Sequence, residues 1–157
     1  MKSKSGTSKG PTLALPCTEQ PETMSIEDNK RIVRSFYEAG NRGDMEGCLD
    51  LLDEQVTWTN IGSTEFSGTF SGKQVLVREL LGPVFGRLQA GITATVHRMI
   101  AEDDCVAVQL SGQATTKDGQ PYNNTYCHVF CIRDGRIHQV TEYFDTALTA
   151  AVLGGKG

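Results

Sequence analysis

The second half of the chain alternates between apolar and polar residues, and this feature limits the possible folds more than any other. A period of two is that of a β-strand, whose successive side chains point to opposite faces of a sheet. Turn sequences interrupt the alternation three times, and the last contains the Asp134-Gly135 pair that is typical of a tight hairpin. The pattern therefore predicts four consecutive antiparallel strands, within residues 91–102, 105–116, 122–134 and 136–144.

The preceding part of the chain has a helical period instead. Ser25, with an acidic residue three positions later, is a typical helix N-cap. Apolar residues then recur every three or four positions up to Gly40. Beyond it the pattern predicts a short helix at 43–54, a strand at 56–60 and a turn-rich loop at 61–72. A further helix is predicted from Lys73, broken or kinked at Gly82-Pro83. Helices first and antiparallel strands last predict an α+β fold.

Length and composition limit the organisation of the chain and its partners. The 157 residues suffice for one domain with its own core. The beginning of the chain is rich in Ser, Thr, Lys, Gly and Pro without periodicity, so we predict a disordered tail at 1–23 and a single domain at 24–157. A net charge of −4 without a basic stripe argues against nucleic acid as a partner. No apolar run approaches the roughly 20 residues that cross a membrane.

The five cysteines do not have the spacing of a metal site. None belongs to a CxxC pair, and none is grouped with histidines in the way a metal cluster requires. Three of them, Cys105, Cys127 and Cys131, fall in predicted strands. We therefore predict reduced, buried thiols in a cytoplasmic protein.

One acidic residue occupies an apolar position of the last predicted strand. Glu142 lies two residues from both Val140 and Phe144, so all three share a face, and the two neighbours belong in a core. An ionised carboxylate inside a protein must be paired or become protonated. Three explanations remain open: the strand is twisted, Glu142 pairs with Arg98 or Arg136, or it is a general base in a pocket.

A histidine on the preceding predicted strand lies within reach of this acid. The tight hairpin brings the two strands side by side, and imidazole changes its charge near neutral pH, which suits proton transfer. A lone histidine in such a strand is usually structural, whereas beside Glu142 it is a candidate for acid–base catalysis. This residue, His128, shares its face with Tyr122, Asn124, Tyr126 and Phe130.

Three segments of the chain together resemble a known fold: RSFYEAGNRGDMEGCLDLLDEQVTW, FSGKQVLVRELL and YNNTYCHVFCIRDGRIHQVTEYFD. They are similar to the nuclear transport factor 2-like superfamily, more narrowly to its SnoaL-like and ketosteroid-isomerase-like branch, and also to limonene epoxide hydrolase. The resemblance covers about residues 25–153. It implies a cone-shaped fold, in which a strongly curved antiparallel sheet wraps over N-terminal helices and encloses a cavity. It also implies catalysis without a cofactor or metal, and commonly a homodimer packed through the sheets.

The resemblance to SnoaL-type polyketide cyclases assigns the catalytic candidates. Those enzymes pair a histidine on the penultimate strand with an acid on the last strand, helped by an asparagine, and the matching residues are His128, Glu142 and Asn60. The family acid is usually Asp, which is one methylene shorter than Glu142. Other positions match functional positions of the relatives or share a face with the catalytic pair, and the resulting substrate-binding candidates are Phe36, Trp58, Gln109, Ser111, Tyr126 and Phe144.

The sequence thus predicts an enzyme that cyclises, isomerises or dehydrates a small, apolar carbonyl compound. Two other functions remain open. Gln109 and Ser111 stand where limonene epoxide hydrolase has the Arg and one Asp of its triad, so the chain resembles an epoxide hydrolase with an incomplete set of catalytic groups. The domain could also hold an apolar ligand without any chemistry.

Overall fold

The computed structural model describes Gly10 and residues 24–155, so the predicted tail at 1–23 lies, apart from Gly10, outside the described residues. Helices precede the long strands, in the α+β order that the sequence predicts. No helix in the described part of the chain is both long and apolar enough to cross a bilayer. The elements are α1 (Ile26–Asn41), α2 (Met45–Asp50), β1 (Leu52–Asn60), β2 (Gly68–Ser71), α3 (Lys73–Leu76), a π-helical turn (Val77–Leu81), α4 (Gly82–Phe85), β3 (Thr93–Glu102), β4 (Cys105–Thr115), β5 (Pro121–Arg133), β6 (Arg136–Phe144) and α5 (Thr146–Leu153).

The strands form a six-stranded sheet in the order β2-β1-β6-β5-β4-β3. Neighbours are antiparallel except β1 and β6, which are parallel. β2 and β3 are its two edges, so this curved sheet does not close into a barrel. The predicted fold, a curved and mostly antiparallel sheet with N-terminal helices packed on it, is confirmed.

Helix α1 begins where the sequence predicts and supplies one wall of the interior. The backbone N–H of Asp28 donates to Ser25 Oγ (3.1 Å), and Asp28 accepts in turn from the Ser25 backbone, which makes a capping box. The buried side of the helix follows a spacing of four residues through Asn29, Val33 and Tyr37. Because α1 packs against β3 and β4, these side chains point towards the sheet.

The region between β1 and β3 differs from its prediction in two places. The loop at 61–72 contains a strand, β2, which pairs with residues 57–60 of β1. Four residues are too few for a period of two to be recognised. The helix that starts at Lys73 is not broken at its proline, because in the π-helical turn Gly82 N–H donates to the carbonyl of Val77, five residues back. The wider turn accommodates Pro83, which has no N–H to donate.

The C-terminal helix α5 is absent from the sequence prediction. Asp145 caps it, since the backbone N–H of Leu148 donates to Asp145 Oδ1 (3.0 Å). Its residues, TALTAAVL, are almost uniformly apolar or small, so no polar stripe marks a helical period. α5 packs against β5 and brings Thr149 and Leu153 to the interior.

Two cysteines form a disulfide, which corrects the prediction of reduced thiols. Cys105 and Cys131 are directly opposite each other on β4 and β5, with their Cα atoms 4.2 Å apart. A sequence pattern does not reveal this pairing, because the register that brings the two residues together depends on the turns between the strands. Cys48 and Cys127 are free. Disulfides persist mainly in oxidising compartments, so the bond removes the basis of the cytoplasmic assignment, which stays a prediction.

The disulfide has a measurable effect on stability. We expect the double variant Cys105→Ser/Cys131→Ser to lose about 3 kcal/mol in free energy of unfolding, the value for a closed loop of this length. Urea unfolding of the oxidised protein, the reduced protein and the variant measures it. Reduced wild type and the variant should agree. If reduction of the wild type leaves its unfolding midpoint unchanged, the bond is not formed in solution.

Candidate active site

A cavity of about 420 Å³ lies between the helices and the concave face of the sheet. Its volume is that of a small-molecule site. Apolar side chains form most of its wall, among them Phe36, Leu80, Val84, Phe85, Leu110 and Phe144. Among the described residues that line it there is no Lys, Arg or Asp, and Glu142 and His128 supply its carboxyl group and its imidazole.

The three predicted catalytic residues lie in one row across the sheet. Asn60 of β1 is the register partner of Glu142 in β6, and Glu142 is the partner of His128 in β5. Register partners have side chains on the same face. The alternation along each strand turns that face towards the cavity, because Val140 and Phe130 beside them are fully buried. The sequence therefore placed these three residues correctly relative to one another.

The carboxylate of Glu142 is held from two sides. Its Oε2 accepts a hydrogen bond from Trp58 Nε1 (3.0 Å), and its Oε1 lies 3.2 Å from His128 Nε2. The side chain of Glu142 is only 16% exposed. The proposed pairing with an arginine is wrong for both candidates: Arg136 donates to the carbonyl of Asp50, and Arg98 lies opposite Gln109 on the other face of the sheet.

Asn60 contacts Glu142 through a shared donor. Trp58 Nε1 also donates to Asn60 Oδ1 (3.1 Å), and Asn60 Nδ2 donates to the carbonyl of Phe66 (3.0 Å). One indole N–H thus binds the amide oxygen and the carboxylate together. The carbonyl of Phe66 fixes which end of the Asn60 amide faces the indole.

His128 has a second partner that the sequence analysis did not assign. Its Nδ1 lies 2.8 Å from the hydroxyl of Tyr37, in α1. Both residues are buried. Burial raises the pKa of Tyr37 far above its usual value, and the nearby negative charge of Glu142 raises it further, so the hydroxyl keeps its hydrogen. The chain of contacts therefore runs from Tyr37 through His128 and Glu142 to Trp58.

Two of the substrate-binding candidates do not reach the cavity. Phe36, Trp58, Tyr126 and Phe144 line it, whereas Gln109 and Ser111 do not. Gln109 is exposed on the outer face of the sheet, and Ser111 Oγ is hydrogen-bonded there to His97 Nε2 (3.0 Å). Because side chains alternate along a strand, a shift of one residue in the assignment moved both to the wrong face. The inward residues of β4 in this stretch are Val108, Leu110 and Gly112.

A second polar cluster is formed by Tyr122, Asn124 and Thr149, and two of its members, Tyr122 and Thr149, line the cavity. The hydroxyls of Tyr122 and Thr149 are 2.9 Å apart, and Asn124 Nδ2 donates to Thr149 Oγ1 (3.1 Å) and to the carbonyl of Asp145 (3.1 Å). Tyr126 Oη donates weakly to Tyr122 Oη (3.4 Å), and burial raises the pKa of Tyr126 well above its usual value. The cluster fixes α5 to β5 and contains no carboxyl group or imidazole, so acid–base chemistry is left to Glu142 and His128.

Tyr37 and Thr149 were the main omissions of the sequence analysis. Tyr37 could have been found from its helical spacing of four with Val33, which places both on the buried side of α1. Thr149 lies in the helix that had no sequence signal. Among the described residues no group of His, Cys, Asp and Glu is arranged to hold a metal ion.

Comparison with known proteins identifies relatives of this chain. The profile of the SnoaL-like domain family matches residues 33–140, more than half of the chain. No curated protein sequence matches significantly. Among solved structures, an NTF2-like protein of unknown function from Burkholderia pseudomallei has a TM-score of 0.73 at 24% identity, with 84% of this chain and 100% of that chain covered. TerC, co-crystallised with polyporic acid, has a TM-score of 0.71 at 23% identity, covering 82% and 99%. An LEH-like epoxide hydrolase from M. tuberculosis has a TM-score of 0.65 at 23% identity, covering 85% and 92%. At these identities the three structures establish a common fold.

Proposed function

Because the chain belongs to the SnoaL-like domain family, we propose that it is a cofactor-free enzyme that performs acid–base chemistry on a small, largely apolar carbonyl compound. One observation carries the proposal: a carboxylate and an imidazole lie 3.2 Å apart in the wall of an otherwise apolar cavity. Isolated charges are costly in such surroundings, and paired titratable groups in a pocket are typical of acid–base catalysts.

The reaction begins with proton transfer from carbon. Glu142 or His128 removes the proton from the carbon next to the carbonyl. The electron pair of that C–H bond forms a C=C bond, and the π pair of the C=O bond moves onto oxygen, which gives an enolate. The other residue, with the amide of Asn60, stabilises the oxygen by hydrogen bonding. The enolate then has three alternative fates. Attack of its carbon on a second carbonyl closes a ring. Return of the proton to another carbon isomerises the compound, and loss of a β-hydroxyl, with a proton, as water dehydrates it.

The apolar wall supports this chemistry. It excludes water, which strengthens the electrostatic effect of each donor on the developing negative charge. Trp58 holds Glu142 Oε2 and leaves Oε1 on the side of His128. Phe36, Tyr126 and Phe144 offer aromatic surfaces to the apolar body of a substrate.

Deuterium exchange tests proton abstraction without knowledge of the product. Tetralone- and cyclohexanone-type ketones are incubated with the protein in D₂O, and incorporation next to the carbonyl is followed by NMR. We expect exchange that depends on the amount of protein and saturates with ketone. Exchange no faster than in buffer, for every ketone that binds, would refute acid–base catalysis on this class.

A non-catalytic ligand-binding protein is the second candidate, and the apolar lining of the cavity favours it. Trp58 is the only tryptophan of the chain and lines the cavity, so its fluorescence reports binding. Polyporic acid, which TerC was crystallised with, is one probe for this assay. Saturable quenching together with no ketone exchange would support the binding protein over the enzyme.

Epoxide hydrolysis has less support from the cavity. Its lining, within the described residues, contains one carboxylate and no arginine, so Glu142 alone would have to activate water while no cation polarises the epoxide. Gln109 and Ser111, the positions assigned to the missing triad members, lie on the other face of the sheet.

We also propose a homodimer that forms through the outer face of the sheet. That face exposes Ile100 in β3 and Tyr143 in β6, which are 58% and 46% exposed. Ala107 and Val129 lie between the two strands on the same face. Light scattering after gel filtration is expected to give twice the monomer mass, and Ile100→Asp/Tyr143→Asp is expected to give the monomer mass. A wild type that elutes as a monomer at all concentrations would exclude the dimer.

A further inference from the structure

We propose that Tyr37 is a positioning residue that fixes His128 as the hydrogen-bond donor of the site, so that Glu142 is the base. The inference rests on the proposed function, which leaves open which of the two residues removes the proton. It assigns a role to a residue of α1 that forms no hydrogen bond with Glu142 and acts through His128.

The rings of Tyr37 and His128 are held in one arrangement. They are nearly parallel, with an interplanar angle of 17° and centroids 6.0 Å apart. Tyr37 is 7% exposed and His128 is 8% exposed, so neither ring has room to turn freely. The ring of Phe130 packs edge-on against Tyr37 at 5.8 Å and lies at the same distance from His128. The 2.8 Å contact between Tyr37 Oη and His128 Nδ1 is therefore a fixed feature of the site.

We infer the direction of this hydrogen bond from the phenol hydrogen, which has His128 Nδ1 as its one acceptor among the described residues. Burial, helped by the charge of Glu142, raises the pKa of Tyr37, so its oxygen carries a hydrogen at neutral pH. The hydroxyl has no other hydrogen-bond partner among the described residues, and Nδ1 is the acceptor within reach. A neutral imidazole has one donor nitrogen and one acceptor nitrogen. With Nδ1 accepting, the ring hydrogen is on Nε2.

The Nε2 atom lies on the side of Glu142, in a residue that lines the cavity. It is buried, and no described residue satisfies it as a hydrogen-bond partner. Glu142 Oε1, at 3.2 Å, is close enough for attraction but lies outside the direction of the N–H bond. Buried polar atoms without partners are rare and call for an explanation. We assign to this N–H the carbonyl oxygen of a bound substrate, which it would stabilise as the enolate forms.

The assignment leaves Glu142 as the base. His128 has no free lone pair towards the cavity, because Nδ1 accepts from Tyr37 and Nε2 carries the hydrogen. Glu142 Oε2 accepts from Trp58, while Oε1 retains its lone pairs beside the position of the substrate. The closeness of Nε2 and Oε1 suits a substrate in which the carbonyl oxygen and the acidic C–H lie on the same edge of the molecule, as in an enolisable ketone.

Nitrogen NMR of histidine-labelled protein tests the assignment directly. At neutral pH we expect His128 of the wild type to show one neutral tautomer, with the hydrogen on Nε2. In Tyr37→Phe the tautomers should mix, and ketone exchange should fall about 5- to 10-fold in kcat with little change in KM, as expected for loss of one neutral hydrogen bond. The control is Ser71→Ala, which removes an exposed hydroxyl from β2 and should change neither.

Three results would overturn the inference. They are a hydrogen on Nδ1 in the wild type, an imidazolium at neutral pH, and a Tyr37→Phe variant whose His128 tautomer is that of the wild type. The wild-type spectrum tests the predicted tautomer of His128 even if the variant does not fold. It also needs no substrate, so a protein with the predicted tautomer but without exchange activity would refute the proposed function and leave the role of Tyr37 standing.

Discussion

Replacement of Glu142 by Gln is expected to lower ketone exchange by about 10²- to 10⁴-fold, the usual contribution of a general base. Gln has nearly the shape of Glu and can still accept from Trp58, but its amide cannot take a proton from carbon. The rate of deuterium incorporation at saturating ketone measures the loss. The matched control is Glu102→Gln, which removes an exposed carboxylate at the end of β3 and should retain the wild-type rate.

The substitution Glu142→Asp distinguishes the effect of the carboxylate charge from the effect of its position in the cavity. Glu142→Asp keeps a carboxylate and restores the residue that SnoaL-type cyclases usually have, but it withdraws the oxygens by one methylene. We expect it to retain more activity than Glu142→Gln and less than the wild type, because a base displaced by about 1 Å loses roughly 10²-fold in rate. If Gln, Asp and wild type exchange ketone protons equally fast, Glu142 is not the base.

The fold of Glu142→Gln should survive the substitution. A buried carboxylate contributes little net stability, because its desolvation offsets its contacts, and catalytic groups are commonly kept at a cost in stability. Circular dichroism and urea unfolding of the variant should therefore match the wild type or exceed it. A variant that is inactive because it is unfolded would say nothing about catalysis, and this measurement distinguishes the two cases.

The sequence predicted the parts of the site that depend on local periodicity. The alternation of Val140, Glu142 and Phe144 and the short Asp-Gly turn together determine that Glu142 and His128 face each other, and both signals lie within 17 residues of sequence. The same hairpin lies within one residue of its prediction: β5 spans Pro121–Arg133 against a predicted 122–134, and β6 spans Arg136–Phe144 as predicted. Local patterns of this kind do not depend on what the rest of the chain does.

The contacts that the sequence did not predict join elements far apart in the chain. Tyr37 is 91 residues from His128 and Trp58 is 84 residues from Glu142, so their hydrogen bonds depend on how α1 and β1 pack against the sheet. Gln109 was placed wrongly for a related reason, because a one-residue error in aligning β4 with its relatives reverses which face a side chain occupies. The Cys105–Cys131 bond likewise depends on the register of β4 against β5.

The substitution Phe130→Ala is expected to have the largest effect on stability, a loss of about 3–5 kcal/mol in free energy of unfolding. Phe130 is fully buried at the centre of β5, and its ring packs against Phe36 at 5.6 Å and against Tyr37 and His128 at 5.8 Å. Removal of the ring leaves a cavity at the point where α1 meets the sheet. Urea unfolding of the variant measures the loss.

The control for Phe130→Ala removes apolar carbon from a position where it is not buried. Ile26 opens α1 and is 44% exposed, so Ile26→Ala should change the free energy of unfolding by about 0.5 kcal/mol or less. A Phe130→Ala variant as stable as Ile26→Ala would mean that α1 does not pack on β5 as described. The Phe130 ring also restricts the movement of Tyr37 beside His128. We therefore expect the folded fraction of Phe130→Ala to lose the single His128 tautomer, although every hydrogen-bonding group is still present.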